Sequence, residues 1–130
     1  MLQADPNVRV VTFDVAPWRS EAETVLRESD FADGRLIQAI GNLAEPDVYA
    51  AHLGTLREAE FVFVDGPKDG VFEPAFVRDV LPGLTDRRRI VGFDDIRMLQ
   101  MVGLWRALPY PKLDATSLGH WSGTGLIATA

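Results

Sequence analysis

Phe61-Val62-Phe63-Val64-Asp65-Gly66-Pro67-Lys68 and Ile90-Val91-Gly92-Phe93-Asp94-Asp95 decide how this chain reads. Each is a short apolar run, β-branched and aromatic, that stops at acid. A strand covered on both faces of a parallel sheet has this pattern when its carboxyl end opens into a site. In open α/β sheets the ligand crevice lies outside those carboxyl ends. Asp65, Asp94 and Asp95 are therefore expected to converge from two strand ends, with Lys68 three residues after the first acid. Such a group suits a hard cation beside a base, because Mg²⁺ prefers oxygen ligands at ~2.1 Å.

Outward from these two runs, strands and helices alternate. Val8–Phe13 is a β-rich run ending at Asp14, and Arg35–Ile40 is a second strand, ending at Gly41-Asn42. A helix is expected from about Trp18, with Trp18, Ala22, Val25 and Leu26 on one face. Pro46 suits the first turn of a helix running to about Arg57. Glu73–Leu84 has helical spacing through Phe76, Val77, Val80 and Leu81, with Pro82 blurring its end. Ile96–Leu108 is apolar nearly all round and reads as a covered helix, stopped by Pro109-Tyr110-Pro111. The tail differs. Asp114–Leu118 and Thr124–Ala128 are two weak strands separated only by residues 119–123. That is too few for a crossover helix, so they should pair as a hairpin. The fold class is α/β: a Rossmann-like, mostly parallel sheet closing in a C-terminal antiparallel hairpin, in one domain spanning residues 1–130.

The bulk numbers fit a single soluble domain of 130 residues, 47% hydrophobic and 25% charged. A net charge of −6 disfavours nucleic acid and anionic membrane as partners. Arg87-Arg88-Arg89 is expected to be a solvated loop that places charge near a helix end. With no cysteine there is no disulfide or thiolate metal site. No apolar stretch approaches the roughly 20 residues of a membrane span. Met1–Pro6 lacks the basic and apolar parts of a signal peptide. The expectation is a cytoplasmic protein whose oligomeric state, homo-oligomer included, stays open.

Asp65-x-x-Lys68 followed by Asp94-Asp95 resembles the metal-dependent O-methyltransferases of the catechol O-methyltransferase type, within the class I S-adenosylmethionine-dependent methyltransferases. The order of elements from Val8 to Ala128 is similar as well, and Gly119-His120-Trp121-Ser122-Gly123-Thr124-Gly125 looks like the terminal hairpin of some bacterial small-molecule methyltransferases. The resemblance implies that Asp65, Asp94 and Asp95 hold Mg²⁺ and that Lys68 takes the proton of a substrate hydroxyl. It also implies that Asp14, Gly41, Asn42 and Asp65 contact S-adenosylmethionine, with Asp14 on the ribose and Asn42 near adenine. The implied activity is O-methyl transfer to a small-molecule hydroxyl.

The chain departs from that family at its start. Only seven residues precede the first strand, and no Gly-x-Gly-x-Gly loop occurs anywhere among the 11 glycines. It reads as a methyltransferase-like domain without the family's first strand and glycine-rich unit. The alternative is a non-catalytic Rossmann-like remnant or interaction module that has lost cofactor binding. Plainer roles stay open for single residues. Asp14 also reads as a turn cap, Asp95 as the N-cap of a helix from Ile96, and Asp65 with Lys68 as a surface ion pair. His52 reads as a solvated helical residue and His120 as structural. Trp18, Trp105 and Trp121 read as packing. A response-regulator phosphoacceptor is a poorer match, because the acidic pair and the lysine fall in the wrong strand order.

Overall fold

A computed structural model describes residues 5–130, so the first four residues of Met1–Pro6 lie outside it. The chain divides into two compact units, Met1–Val48 and Tyr49–Ala130. In the first, β1 (Val10–Asp14) pairs in parallel with β2 (Leu36–Ile40), with Asp14 opposite Ile40 at their carboxyl ends. The helix expected from Trp18 is not there. Trp18–Ser20 forms one tight helical turn behind Pro17, and only α1 (Glu28–Phe31) is α-helical. Val25, expected on the apolar stripe, is 89% exposed. The segment is held instead by Trp18 stacked on Phe31 at 5.2 Å and by an Arg19–Glu28 ion pair. Here tertiary contacts override a helical stripe of only four residues.

Helix α2 (Pro46–Glu58) begins on Pro46. It has Asp47 in its first turn and Arg57 in its last, charges that complement the helix dipole.

The second unit holds a four-stranded mixed sheet in the order β3-β4-β6-β5. β3 (Phe61–Val64) and β4 (Ile90–Asp94) run parallel, whereas β6 (Thr124–Ala128) is antiparallel to β4 and to β5 (Lys112–Asp114). The tail therefore does pair as a hairpin, but its first strand lies earlier than Asp114–Leu118. Thr116–Leu118 is a tight helical turn, and β6 is an interior strand.

The core of this unit lies on β4 and the helical segments around it. Val91 and Phe93 are fully buried with Phe76, Val80, Leu81, Leu84, Ile96 and Ile127. Phe93 meets Phe76 edge-on at 6.3 Å and Trp105 at 6.5 Å. Each such side chain contributes roughly 1.5–3 kcal/mol by leaving water. α3 (Phe72–Ala75) continues through a widened turn, Phe76–Val80, into a tightened one, Leu81–Leu84. Pro82 explains the change of winding, because it has no N–H to donate and its ring excludes the carbonyl four residues back.

α4 (Met101–Ala107) starts five residues later than expected. The Ile96 and Arg97 N–H groups donate to Gly123 O and Ser122 O, at 3.2 and 2.9 Å, instead of entering a helix. Leu99 also turns left-handed, at φ 44°.

Arg89 departs from the expected solvated loop. Its side chain is buried and donates to Arg57 O (2.6 Å), Ala59 O (3.1 Å), Leu84 O and Asp86. The charge does serve helix carboxyl ends, but from the interior.

Candidate functional site

Parallel pairing of β3 with β4 sets Asp65-Gly66-Pro67-Lys68 beside Asp94-Asp95 at one end of the sheet. Lys68 is only 8% exposed, and its Nζ donates to Asp65 Oδ1 (2.5 Å) and Gly66 O (2.8 Å) while standing 3.5 Å from Asp95 Oδ2. Lys68 and Asp95 both take left-handed backbones, at φ 55° and 56°. Non-glycine residues adopt that region at a cost, and such strain concentrates at functional sites. Asp95 therefore does not cap a helix beginning at Ile96.

Glu73 fixes the turn that carries Lys68. Its Oε1 accepts the Lys68 backbone N–H at 3.0 Å, and the residue is 1% exposed. Gly66 leaves room for this brace. A Cβ there would stand 2.3 Å from the Phe72 ring and 2.7 Å from Glu73 Oε1. Glu73 Oε2 has no partner among the described residues, and Glu73 and Lys68 both line a cavity of about 10 Å³.

Antiparallel pairing brings a third segment to the same end. Asp94 lies opposite Thr124, so the residues preceding β6 fall at the carboxyl end of β4. His120 Nε2 stands 2.9 Å from Asp94 Oδ1, and its Nδ1 is 2.6 Å from the hydroxyl of the buried Ser122. Asp94, Asp95 and His120 each offer one donor atom, and these atoms lie within 4.8 Å of one another. Asp65 is outside that set. Hydrogen bonding from Ser122 is the main influence holding the Asp95 carboxyl below its ordinary range. Burial opposes it, and the Lys68 and His120 charges assist. For Lys68, burial is the largest single influence and works downward. The hydrogen bond and charge of Asp65, with the charges of Asp95 and Glu73, outweigh it and leave the ammonium above its ordinary value.

In the first unit, Asp14, Gly41 and Asn42 stand at the carboxyl ends of β1 and β2. Asp14 Oδ1 accepts the Ala16 N–H (3.2 Å), and Asn42 Oδ1 accepts the Ala44 N–H (2.9 Å), so each caps its own turn. Gly41 is closed to a side chain by Val48, 2.9 Å from where a Cβ would sit. A groove nearby in sequence is lined by Trp18, Phe31, Gln38 and Ile40. Trp105 is core, as expected of a packing residue, whereas Trp121 is 81% exposed.

Sequence reasoning missed Glu73 and the joint role of His120 with Ser122. Glu73 had a signal: it shares a helix face with Phe76 and Val80, so an acid there points inward. His120 had none, because its place depends on β6 pairing with β4.

Comparison with protein-family models, with curated proteins and with solved structures gives no match for this chain. Among the described residues no helix is long and apolar enough to cross a membrane.

Proposed function

We propose that this chain serves S-adenosylmethionine-dependent O-methyl transfer to a small-molecule hydroxyl, with a divalent cation such as Mg²⁺ at the Asp94–Asp95 end. One observation carries the reading: two adjacent parallel strand ends bring two carboxylates, Asp65 and Asp95, onto a single buried lysine. The donor chemistry fits a divalent cation, since carboxylate oxygens are its preferred ligands. Asp94 and Asp95 would hold the ion. When bound, such an ion lowers the pKa of a neighbouring hydroxyl.

Lys68 would accept the hydroxyl proton at Nζ. With Asp65 and Asp95 turned to it, Lys68 favours its ammonium form, so base chemistry requires Asp95 to share its charge with a second cation. Glu73 and Gly66 set the backbone from which Nζ reaches that position. Asp14 and Asn42 carry oxygens suited to ribose hydroxyls and the adenine amine. The methionine part of the cofactor would need backbone donors of a glycine-rich loop, and the sequence contains none.

Transfer of labelled methyl from S-adenosylmethionine to a panel of catechols, sugars and polyketide hydroxyls, with Mg²⁺ and then with chelator, tests the reading. Transfer that chelation abolishes is the expected result. The second reading, an interaction module without catalysis, is favoured by Asp14 and Asn42 each serving its own turn. It is the outcome if no substrate is methylated and the cofactor gives no heat of binding.

A further inference from the structure

Glu73 carries an oxygen that the Lys68 turn does not use. Its Oε1 takes the Lys68 backbone N–H at 3.0 Å, whereas its buried Oε2 has no hydrogen-bond partner among the described residues. The residue is 1% exposed, so bulk water does not meet that oxygen. A buried acceptor that has given up its hydration and gained no donor is rare in native structures. The neighbouring ammonium offers no remedy. A lysine has three hydrogens to give, and Lys68 Nζ turns to Asp65 Oδ1 (2.5 Å), Gly66 O (2.8 Å) and Asp95 Oδ2 (3.5 Å).

Glu73 also lines a cavity of about 10 Å³, whose wall includes Gly70, Gln100, Met101 and Leu104. That is the room of one water molecule, a sphere of about 1.4 Å radius, and too little for a buffer anion or an organic ligand. Dry voids have apolar walls. This wall holds a carboxylate without a full set of donors and a carboxamide that both donates and accepts. Gln100 forms the outer side. The residue is exposed, and its carboxamide carbon and nitrogen stand 3.4 and 3.5 Å from where a Gly70 Cβ would sit. Gly70 itself has φ 78°, a backbone suited to glycine, and adds no side chain to the space.

We infer that this cavity is a hydration site for one ordered water, which donates to Glu73 Oε2 and bonds the Gln100 carboxamide closing over it. The water completes a chain from the Lys68 N–H through the Glu73 carboxylate to Gln100, the residue just before α4. It joins the loop carrying Lys68 to the start of that helix, so the left-handed turn at Lys68 is held by two elements. The inference does not depend on methyl transfer, since it needs only the buried carboxylate and a cavity of this size.

A high-resolution crystal structure of the full chain, water relaxation dispersion by NMR and hydrogen exchange test this. One density peak should lie ~2.5–3.0 Å from Glu73 Oε2, the usual range for a hydroxyl donor. Dispersion should report a long-lived water that is lost in Gln100→Ala, where the cavity opens to bulk solvent. In the same variant the Lys68 amide should exchange about tenfold or more faster, because its acceptor is no longer braced. Gln100 makes no side-chain cap to α4 and is exposed, so the variant keeps its fold. A dry cavity, Oε2 bonded directly by Gln100 or another protein group, or density with the short contacts of a metal ion overturns the inference. Long-lived waters unchanged in number in Gln100→Ala also overturn it, and unchanged Lys68 exchange overturns the joining role. Methyl transfer is not a readout of any of these, so the two readings fail separately.

Discussion

Lys68 Nζ lies 3.5 Å from Asp95 Oδ2, and both residues hold left-handed backbones immediately beyond adjacent parallel strands. Each conformation costs on the order of 1–3 kcal/mol that ordinary turn residues would avoid. Asp65, Glu73 and Ser122 supply the contacts that hold the pair in place.

On the proposed reading, replacing Lys68 by Ala should cut methyl transfer about 10²–10⁴-fold, the usual contribution of a general base. Cation affinity should not fall, because Asp95 is released from a competing ammonium. Steady-state kinetics and calorimetry on the variant check both parts, and unchanged turnover would remove Lys68 as the base.

Gly66→Ala should destabilise the second unit by about 1–3 kcal/mol through overpacking against Phe72 and Glu73. A urea melt measures it. A neutral substitution would mean that the turn carrying Lys68 has room the structure does not show.

Arg89→Ala should cost at least about 3 kcal/mol, since it strips a buried donor from Arg57 O, Ala59 O and Leu84 O together. Arg89→Lys should recover little, because one ammonium cannot reproduce the planar fork. The same urea melt compares the two variants.

Acid should loosen the tail hairpin. Thr116 hydrogen bonds, assisted by the Arg97 ion pair, hold the Asp114 carboxyl down to about 2. Its folded-state value is depressed, so its contribution is present above the unfolded value and is lost as pH falls through about 2. The Asp95 shift has the same sign. Lys68, shifted upward, loses its contribution only at strongly alkaline pH. Thermal melts from pH 6 to 2 should decline more steeply for the unaltered chain than for Asp114→Asn.

Titration of this 130-residue chain with S-adenosylmethionine should give affinity weaker than micromolar. Several charge-assisted contacts at about 1.5–3 kcal/mol each depend on a glycine-rich loop that the sequence lacks. Micromolar or tighter binding would show that another segment takes the loop's place.

Two strand ends could be read directly from sequence, because an apolar β-branched run has one stable fate and the acid after it must leave the core. Phe61–Val64 and Ile90–Asp94 are strands as expected, and Asp65, Lys68, Asp94 and Asp95 share one end of the sheet, but the first strand is not covered on both faces, since Phe61 and Phe63 are exposed. Pro46 likewise marked the start of its helix. Local pattern failed where long-range hydrogen bonds took over. Ile96 and Arg97 give their N–H groups to Gly123 and Ser122, so the helix read from Ile96 begins only at Met101. The stripe from Trp18 yields to the Trp18–Phe31 stack. His120 belongs wholly to the tertiary structure. Only the antiparallel register of Asp94 with Thr124 carries it to the carboxyl end of β4. Sequence determines which residues must leave the core at a strand end. Which distant residues meet them there is decided by strand pairing, which sets Asp94 against Thr124, 30 residues away along the chain.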